Sequence, residues 1–536
     1  MNYKIKKGVA VLAVGTLLTF SITGCTLFGS NTSTNTTSNS TTAEAVDLNN
    51  LFTDRDLDAS YDAASPKITL ANGSITSDSS NATVSGNTVT IKAAGTYILT
   101  GTSSDAQIVI DVADSDKVQL VLDNVNLTST SATALYVKSA DKVFITQAEG
   151  SNNSITINSD STEEDGKSID GAIYAKDDIT FNGNGTLNIT STKTNGVVGN
   201  DDVKLVSGTI NITSAKHGVD ANDSISVKDA NITVNADKDG LHCDGNVNVV
   251  GGNINIAKSN EGIEGQVINI AGGNTNVVAT DDAINASSPD VNTSEDPMAV
   301  DSAAQLNISG GKLTVNANGD GLDSNGSINI SGGETYVSGP TDDGNTAIDF
   351  GSECVITGGT LIAAGSSGMI EAMSDKSTQA VMTVNASSNS GTISVADSTG
   401  NVLASYTPEK TYAAVTISAP GLTVGQTYKV TCGSTSEDVT LSSTVTSNVT
   451  SQMGGMQSGG PGGMGRMQGG QGRMQGNTEN GNSSEMQAPP DMNNSDGSMT
   501  TPPDMNNSNG SMPTPPDNGQ MPNGNMKQGK GQMKNQ

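Results

Sequence analysis

Acidic residues recur at fixed spacing through the middle of this chain. Two sets stand one residue before and two residues after a small residue, with Asp239, Glu261, Asp282 and Asp320 in the first and Asp220, Glu264, Asp323 and Asp349 in the second. In a structure that repeats at this spacing, members of a set would stack about 5 Å apart. Carboxylates at that distance repel each other, and the repulsion is relieved by protonation or by a hard cation. Ca²⁺ is such a cation and accepts roughly six to eight oxygen ligands. The two sets therefore predict calcium sites, with Asn260, Asn285 and Asn325 as possible further ligands.

Two histidines and two lysines lie beside these acids. The chain contains 2 His in total, and His217 occupies a position where other repeats carry an acid, so we expect surface polar residues rather than metal ligands or catalysts. Lys216 and Lys238 are in phase with each other, and a lysine base next to a calcium-bound uronate could perform an elimination. Neutralisation of neighbouring carboxylates is the favoured interpretation of both lysines.

The elements that would position these residues follow from a repeat of 22 residues, marked by Gly196, Gly218, Gly240 and Gly262. Each repeat contains two runs in which β-branched and polar residues alternate, which is typical of strands with one buried face. A repeat of this length predicts a solenoid, in which each coil buries its apolar side chains against its neighbours. Ten small corner residues align: Ala134, Ala172, Gly196, Gly218, Gly240, Gly262, Ala283, Gly321, Ala347 and Gly368.

The predicted fold is therefore all-β, a right-handed parallel β-helix of about ten coils with a small C-terminal β module and disordered ends. Wider spacing after Ala134 and Ala283 predicts loops at 158–168 and 286–304. The segment from Ile68 to Val112 is expected to cap the first coil, and alternating runs between Thr378 and Leu441 to cap the last.

The ends of the chain predict export and tethering. Lys4, Lys6 and Lys7 precede an apolar run that ends in Ile22-Thr23-Gly24-Cys25, the pattern of a lipoprotein signal peptide with Cys25 as the lipidated residue. The predicted organisation is a signal peptide at 1–25, a Ser/Thr/Asn linker at 26–47, the β-helix at 48–375, a β-sandwich-like cap at 376–450 and a disordered Met/Gly/Pro-rich tail at 451–536. We expect a monomer on the extracellular face of the cell membrane, held there by its lipid.

Composition excludes several classes of function. With 26 basic and 56 acidic residues the net charge is −30, which opposes binding of nucleic acid. Trp is absent and aromatic residues make up 3%, so strong stacking on crystalline cellulose is not expected. Tyr136 and Tyr174 are the exception, since they stand at the same position of two repeats and would stack on neighbouring coils. Cys243, Cys354 and Cys432 would be structural thiols, since their odd number implies no disulfide framework.

Several stretches resemble a bacterial carbohydrate-binding β-helix family: 95–101, 116–126, 172–187 and the Asp-Gly-Leu corners. Clostridial members of that family resemble pectate lyases in fold and bind cellulose and polygalacturonate. The resemblance spans roughly Leu48 to Leu441 and implies polysaccharide binding with calcium at the acidic turns. Carried to this chain, it implies the calcium ligands Asp220, Asp239, Glu261, Glu264, Asp282, Asp320 and Asp323. Ala283 and His242 depart from the pattern, where a corner glycine and an acid are expected.

Three functions compete at this point. The first is a non-catalytic, calcium-dependent binding protein for polygalacturonate or cellulose, with Asn, Ser and Thr side chains contacting sugar hydroxyls. The second is a calcium-dependent polysaccharide lyase that uses Lys216 or Lys238. The third is an adhesin or wall-spacing protein without a sugar ligand. We favour the first.

Overall fold

The computed structural model describes residues 47–289 and 300–449. Within them a single four-residue helix forms, α1 (Asp54–Leu57), and nearly everything else is strand. No helix in these ranges is long and apolar enough to span a bilayer. Cys25, the signal peptide, most of the 26–47 linker and the tail from 451 onward lie outside the described residues.

The N-terminal part and first half of the solenoid form the following strands in chain order. They are β1 (Lys67–Leu70), β2 (Thr76–Ser77), β3 (Ala82–Ser85), β4 (Thr88–Ile91), β5 (Gly95–Ser103), β6 (Gln107–Asp111), β7 (Lys117–Ser129), β8 (Leu135–Ser139), β9 (Lys142–Gln147), β10 (Asn152–Ile157), β11 (Thr162–Glu164), β12 (Lys167–Ile169), β13 (Gly171–Ala175), β14 (Asp178–Gly183), β15 (Thr186–Ser191), β16 (Asn195–Gly199), β17 (Asp202–Leu205), β18 (Thr209–Ser214), β19 (Val219–Ala221), β20 (Ser224–Val227) and β21 (Asn231–Ala236).

The second half of the solenoid and the C-terminal module continue the series. Their strands are β22 (Leu241–Val249), β23 (Asn253–Lys258), β24 (Ile263–Ile270), β25 (Asn274–Ala279), β26 (Ile284–Ala286), β27 (Gln305–Ile308), β28 (Lys312–Ala317), β29 (Leu322–Ser324), β30 (Ser327–Ile330), β31 (Glu334–Ser338), β32 (Ile348–Phe350), β33 (Glu353–Ile356), β34 (Thr360–Gly365), β35 (Val381–Asn389), β36 (Ile393–Ala396), β37 (Val402–Tyr406), β38 (Tyr412–Ser418), β39 (Thr427–Cys432), β40 (Thr435–Thr440) and β41 (Val445–Ser447).

Successive coils stack their strands in parallel and in register, which confirms the predicted parallel β-helix. Three parallel sheets run along it. Sheet A contains β4, β6, β8, β13, β16, β19, the start of β22 and of β24, β26, β29 and β32; sheets B and C contain the second and third strand of each coil. Within the described residues the solenoid makes about 11 turns.

The difference from the ten expected coils lies at the two ends. Ile68 to Val112 was expected to form a cap, but β4 pairs in parallel with β6 and β6 in parallel with β8, so this segment adds coils of its own. It has no corner residue at the regular spacing, which is why the period did not reveal it. At the other end no strand of sheet A follows β32 in the described residues, and Gly368 begins no further coil.

The corner residues are small because the coils approach closely there. A Cβ added to Gly218 would lie 2.5 Å from the carbonyl oxygen of Gly240 and 2.5 Å from Cγ1 of Val234. Between sheets B and C, the second glycine of each Gly pair adopts a positive φ, as at Gly252 (φ 80). Apolar residues of all three sheets point inward and form one continuous core.

The C-terminal module continues from the last coil. Strand β38 pairs antiparallel with β34 on one side and with β35 on the other, while β37, β36, β39 and β40 form a separate four-stranded sheet. A second hydrophobic core fills the space between them. Because β38 pairs with the terminal strand of sheet C, that strand has no free edge. Cys243, Cys354 and Cys432 are buried free thiols.

Residues 47–62 lie across the outside of sheet B, which no pattern in the sequence indicated. Asp56 is fully buried there, 2.7 Å from Nζ of Lys142 and 3.7 Å from Nζ of Lys204. Thr180 Oγ1 donates a hydrogen bond of 2.7 Å to the same carboxylate. Burial would raise the pKa of Asp56, but its hydrogen bond and ion pair with Lys142 outweigh this and lower it to about 2.

Candidate functional site

The acids predicted two residues after the corner lie along the outside of sheet A in one column. Each strand of the sheet contributes its central residue, and the register pairs these residues directly from coil to coil. This strand column runs Asp220, His242, Glu264, Asn285, Asp323 and Asp349. The phase read from the sequence is therefore correct, and like charges meet because a parallel in-register stack superimposes equivalent positions.

A second column, the corner column, lies at the turn that leads into sheet A. It runs His217, Asp239, Glu261, Asp282 and Asp320, and the backbone carbonyl of each accepts a hydrogen bond from the corner residue of the preceding coil. Side chains add to this ladder. Oδ1 of Asp282 accepts a bond of 2.5 Å from the backbone N–H of Asp320, and Oδ1 of Asp320 accepts one of 2.5 Å from the N–H of Thr346. In Asp282 and Asp320, one carboxylate oxygen thus accepts a hydrogen bond from the backbone of the next coil, and the second oxygen remains for another partner.

A histidine lies beside the acids at the N-terminal end of each column. His242 lies between two acids of its own column, with Nδ1 3.0 Å from Oδ1 of Asp220 and Nε2 3.3 Å from Oε2 of Glu264. Burial opposes protonation of His242, but the hydrogen bond and charge of Asp220 and the charge of Glu264 raise its pKa to about 9. In the corner column, Nδ1 of His217 lies 2.8 Å from Oδ2 of Asp239. Burial would raise the pKa of Asp239, but the contact with His217 outweighs it and lowers the pKa.

The remaining acids have no such partner. We call Glu261, Asp282, Asp320, Asp323 and Asp349 the acidic stripe. Within residues 47–289 and 300–449, no ion pair to a basic side chain involves any of the five. The stripe therefore concentrates carboxyl groups without a basic partner on one side of four consecutive coils.

Burial and mutual repulsion make ionisation of the stripe unfavourable. Burial, followed by the charges of Asp282, Asp349 and Asp320, raises the pKa of Asp323 to about 9. Burial and Glu264 raise the pKa of Glu261 to about 8. For the two corner aspartates burial is again the largest cause, and it raises the pKa of Asp320 to about 7 and that of Asp282 to about 6. Without a bound cation these groups take up protons near neutral pH.

The donor atoms of the stripe suit a hard cation. All of them are oxygens, which are the ligands that Ca²⁺ uses. Asn285 adds a further one, since its Nδ2 donates a hydrogen bond of 3.0 Å to Oε2 of Glu261 while its own Oδ1 is buried without a hydrogen-bond partner. The residues present therefore fit calcium, whose positive charge would favour the ionised form of the stripe.

The seven predicted ligands divide into two groups in the structure. Glu261, Asp282, Asp320 and Asp323 lie in the acidic stripe, whereas Asp220, Asp239 and Glu264 contact histidine. Their role as metal ligands stays a prediction. Asp349, present in the column but absent from the seven, and Asn285 belong beside them by register.

The expectation of two surface histidines was wrong. The side chains of His217 and His242 are only 14% and 24% exposed, and each contacts a carboxylate. Both lie in phase with the acids, and this was the available signal. A histidine in an acidic repeat position resembles an ordinary polar substitution until the neighbouring coil is placed beside it.

The two lysines differ in their surroundings. Nζ of Lys216 lies 2.8 Å from Oδ2 of Asp170, two coils away, as expected for a neutralising residue. Lys238 is exposed, directly before Asp239. Lys216 is therefore held by an ion pair, and Lys238 is the more accessible of the two.

The tyrosine column is covered and offers no stacking surface. Tyr136 and Tyr174 are 7% and 4% exposed and pack with Ile169 and Val198. The hairpin of β11 and β12, which occupies the loop predicted at 158–168, contributes Ile169 and Glu164. Glu164 pairs with Lys138 at 2.5 Å and hydrogen-bonds the hydroxyl of Tyr136. Flat stacking of sugar rings on these tyrosines is excluded while the hairpin is in place.

Comparisons with known proteins agree with the predicted family. Residues 85–344 match the model of a family described as carbohydrate-binding domain-containing protein. A protein of the same description from Acetivibrio thermocellus is 36% identical over 149 residues, which cover 27% of this chain and 52% of the relative. The chain thus spans about half the length of this curated relative.

A solved structure is also similar in part. It is described as the polysaccharide lyase-like protein from C. thermocellum, in a gadolinium derivative, and is 28% identical, with 50% of this chain and 97% of that chain covered at a TM-score of 0.39. The resemblance predicted from the sequence is confirmed by the family match: residues 85–344 match the carbohydrate-binding domain family.

Proposed function

We propose that this protein binds an acidic polysaccharide, such as polygalacturonate, through calcium ions held by the acidic stripe. The observation that carries the proposal is the set of five carboxyl groups that follow one another along the strand and corner columns, with no ion pair to a basic side chain in the described residues. The match of residues 85–344 to a carbohydrate-binding family supports a polysaccharide as the ligand.

Calcium would link the protein to the sugar. Ca²⁺ accepts roughly six to eight oxygens, more than two or three side chains of the stripe supply, so positions remain for uronate carboxylates. A neutral glycan has no group of that kind and would depend on hydroxyl contacts alone. Cellulose therefore remains the alternative ligand, with binding that does not require calcium.

A retention assay on immobilised polysaccharides tests the proposal. We expect the protein to bind polygalacturonate with calcium and to elute with EDTA. Asp323→Asn should weaken retention at least about 10-fold, while Asp438→Asn, a change at an exposed aspartate of β40, should leave it unchanged. Equal retention with EDTA and with calcium would contradict the proposal, and calcium-independent retention on cellulose would support the alternative ligand.

A lyase is the second candidate, and the exposure of Lys238 beside the corner column favours testing it. A lyase would generate an unsaturated product from polygalacturonate, measurable by its ultraviolet absorbance. We propose binding without cleavage and expect no increase. Product that forms with calcium and disappears in Lys238→Ala would establish the lyase instead.

We further propose that the protein is held on the extracellular face of the cell membrane by lipid on Cys25. The signal pattern at 1–25 supports this. Cells grown with a labelled fatty acid should incorporate the label into the wild-type protein and not into Cys25→Ala. Labelling of the variant would contradict lipidation at this residue.

A further inference from the structure

The two histidines of the chain lie against each other on neighbouring coils. The centroids of the His217 and His242 rings are 4.6 Å apart, with an angle of 37° between the planes. One belongs to the corner column and the other to the strand column, so the two columns meet here. The chain contains 2 His, and the fold brings both to the same place.

Carboxylates complete two overlapping sets of ligand atoms around these rings. One atom each from His217, Asp220 and His242 lie within 4.8 Å of one another, and so do one atom each from Asp239, His242 and Glu264. Ligand atoms around a tetrahedral ion with bonds of about 2.0–2.1 Å are separated by about 3.4 Å. The first set therefore needs to contract by little more than about 1 Å to surround an ion, which rotation of side chains on a fixed backbone can supply.

One ring nitrogen in this cluster is left without a proper partner. Nδ1 of His217 is buried and makes no hydrogen bond, although Oδ2 of Asp239 lies only 2.8 Å away. The two atoms are close enough for a bond but misaligned for one. A buried polar atom without a hydrogen-bond partner needs an explanation, and an ion bound beside it is one.

The ligand types decide which ion this would be. Imidazole nitrogen together with carboxylate oxygen suits zinc and related first-row ions, whereas calcium uses oxygen ligands. We propose that His217, Asp220 and His242 bind one divalent ion of the zinc class, at a site separate from the calcium of the acidic stripe. Asp239 borders this site, with its Oδ2 2.8 Å from Nδ1 of His217. Three protein ligands leave a fourth position open towards solvent, since the side chain of Asp220 is 27% exposed.

A purely structural role for the cluster is the competing explanation. In it, His242 is a charged brace between Asp220 and Glu264, and His217 only packs against the ring of His242. Both explanations predict that histidine variants lose stability. They differ in zinc binding, so the decisive measurement is binding itself.

The experiment uses the full chain without a histidine tag. Zinc binding is measured by equilibrium dialysis in a large excess of calcium, for the wild type, His217→Gln, His242→Gln and the double variant. Asp323→Asn serves as the matched control in the acidic stripe. Nitrogen-15 NMR of the imidazole rings gives a second readout on the wild type, and it is readily assigned because the chain contains 2 His.

We expect one zinc ion per chain that calcium does not displace and that shifts the NMR signals of both rings. Each histidine variant should bind zinc more than about 10-fold more weakly, because even loss of an outer partner of a metal ligand commonly costs 10–100-fold. Asp323→Asn should bind zinc like the wild type. Equal zinc binding by the wild type and the double variant, displacement by calcium, or no shift of the ring signals would overturn the proposal. The NMR result stands even if a variant does not fold.

Discussion

Substitution of Asp323 by Asn is expected to stabilise the protein without calcium and to reduce its response to calcium. Burial, and after it the neighbouring acids, raise the pKa of Asp323 from its ordinary value of 3.8 to about 9. At pH 7 the folded protein therefore holds this carboxyl protonated, whereas the unfolded chain ionises it. Asn has nearly the same shape as the protonated carboxyl and carries no charge in either state.

The size of the effect follows from that difference in pKa. At about 1.4 kcal/mol for each pH unit, keeping Asp323 protonated at pH 7 costs about 4 kcal/mol of stability. The group is partly accessible to water, which reduces the repulsion it experiences, so we expect a gain of about 2 kcal/mol in Asp323→Asn. If calcium binds the acidic stripe as proposed, it should reverse the order, because it would bind the ionised wild-type carboxylate and stabilise only the folded state.

Urea titrations with EDTA and with calcium at pH 7 measure both effects. The variant should be more stable than the wild type with EDTA and should gain less from calcium than the wild type does. Asp438→Asn, at an exposed position, is the control and should follow the wild type in both buffers. If Asp323→Asn lowers stability with EDTA, or gains as much from calcium as the wild type, the reasoning about the stripe is refuted.

Three further predictions concern pH, the N-terminal segment and the corners. The raised pKa values of Asp282, Asp320 and Glu261 mean that the folded state binds more protons than the unfolded chain. With EDTA the stability should therefore fall as the pH rises from about 4 to about 8, and calcium should reduce that fall. A stability that rises over this range would contradict the assignment. Asp56→Ala should cost about 3–5 kcal/mol in a urea titration at pH 7, because it leaves Lys142 and Lys204 buried without this partner. Since the pKa of Asp56 is lowered to about 2, its contribution in the wild type is present above pH 4 and should disappear as the pH falls through 2. Gly218→Ala should destabilise the folded protein by at least about 1–3 kcal/mol, because its Cβ would lie 2.5 Å from the carbonyl oxygen of Gly240. A melting temperature equal to that of the wild type would show that the coils can separate there.

Much of the fold could be predicted because the repeat carries its own register. A spacing of 22 residues together with alternation of period two leaves one way to bury every β-branched residue, and that arrangement also superimposes the acids of successive coils. The sequence shows a small residue at each corner, and the structure supplies the reason in the carbonyl of the next coil.

The parts that could not be predicted depend on residues far apart in sequence or on pairs across coils. Asp56 contacts Lys204 across sheet B, and no periodic pattern links these positions. The hairpin that covers Tyr136 is an insertion, and its direction is set by contacts of Glu164 and Ile169. The carboxylates that contact the two histidines could not be predicted either, because the distance between the two columns does not follow from the period.

Local alternation and a constant repeat length were enough to predict the parallel β-helix, its inward-facing residues and the stacking of like charges on one side of it. Which of the stacked acids have a basic partner depends instead on contacts between neighbouring coils. At one end His217 and His242 reach them, and at the other Asp323 and its neighbours have no basic partner in the described residues. The physical reason is that phase along the chain sets which residues align, whereas charge compensation depends on side-chain distances of a few ångströms between columns.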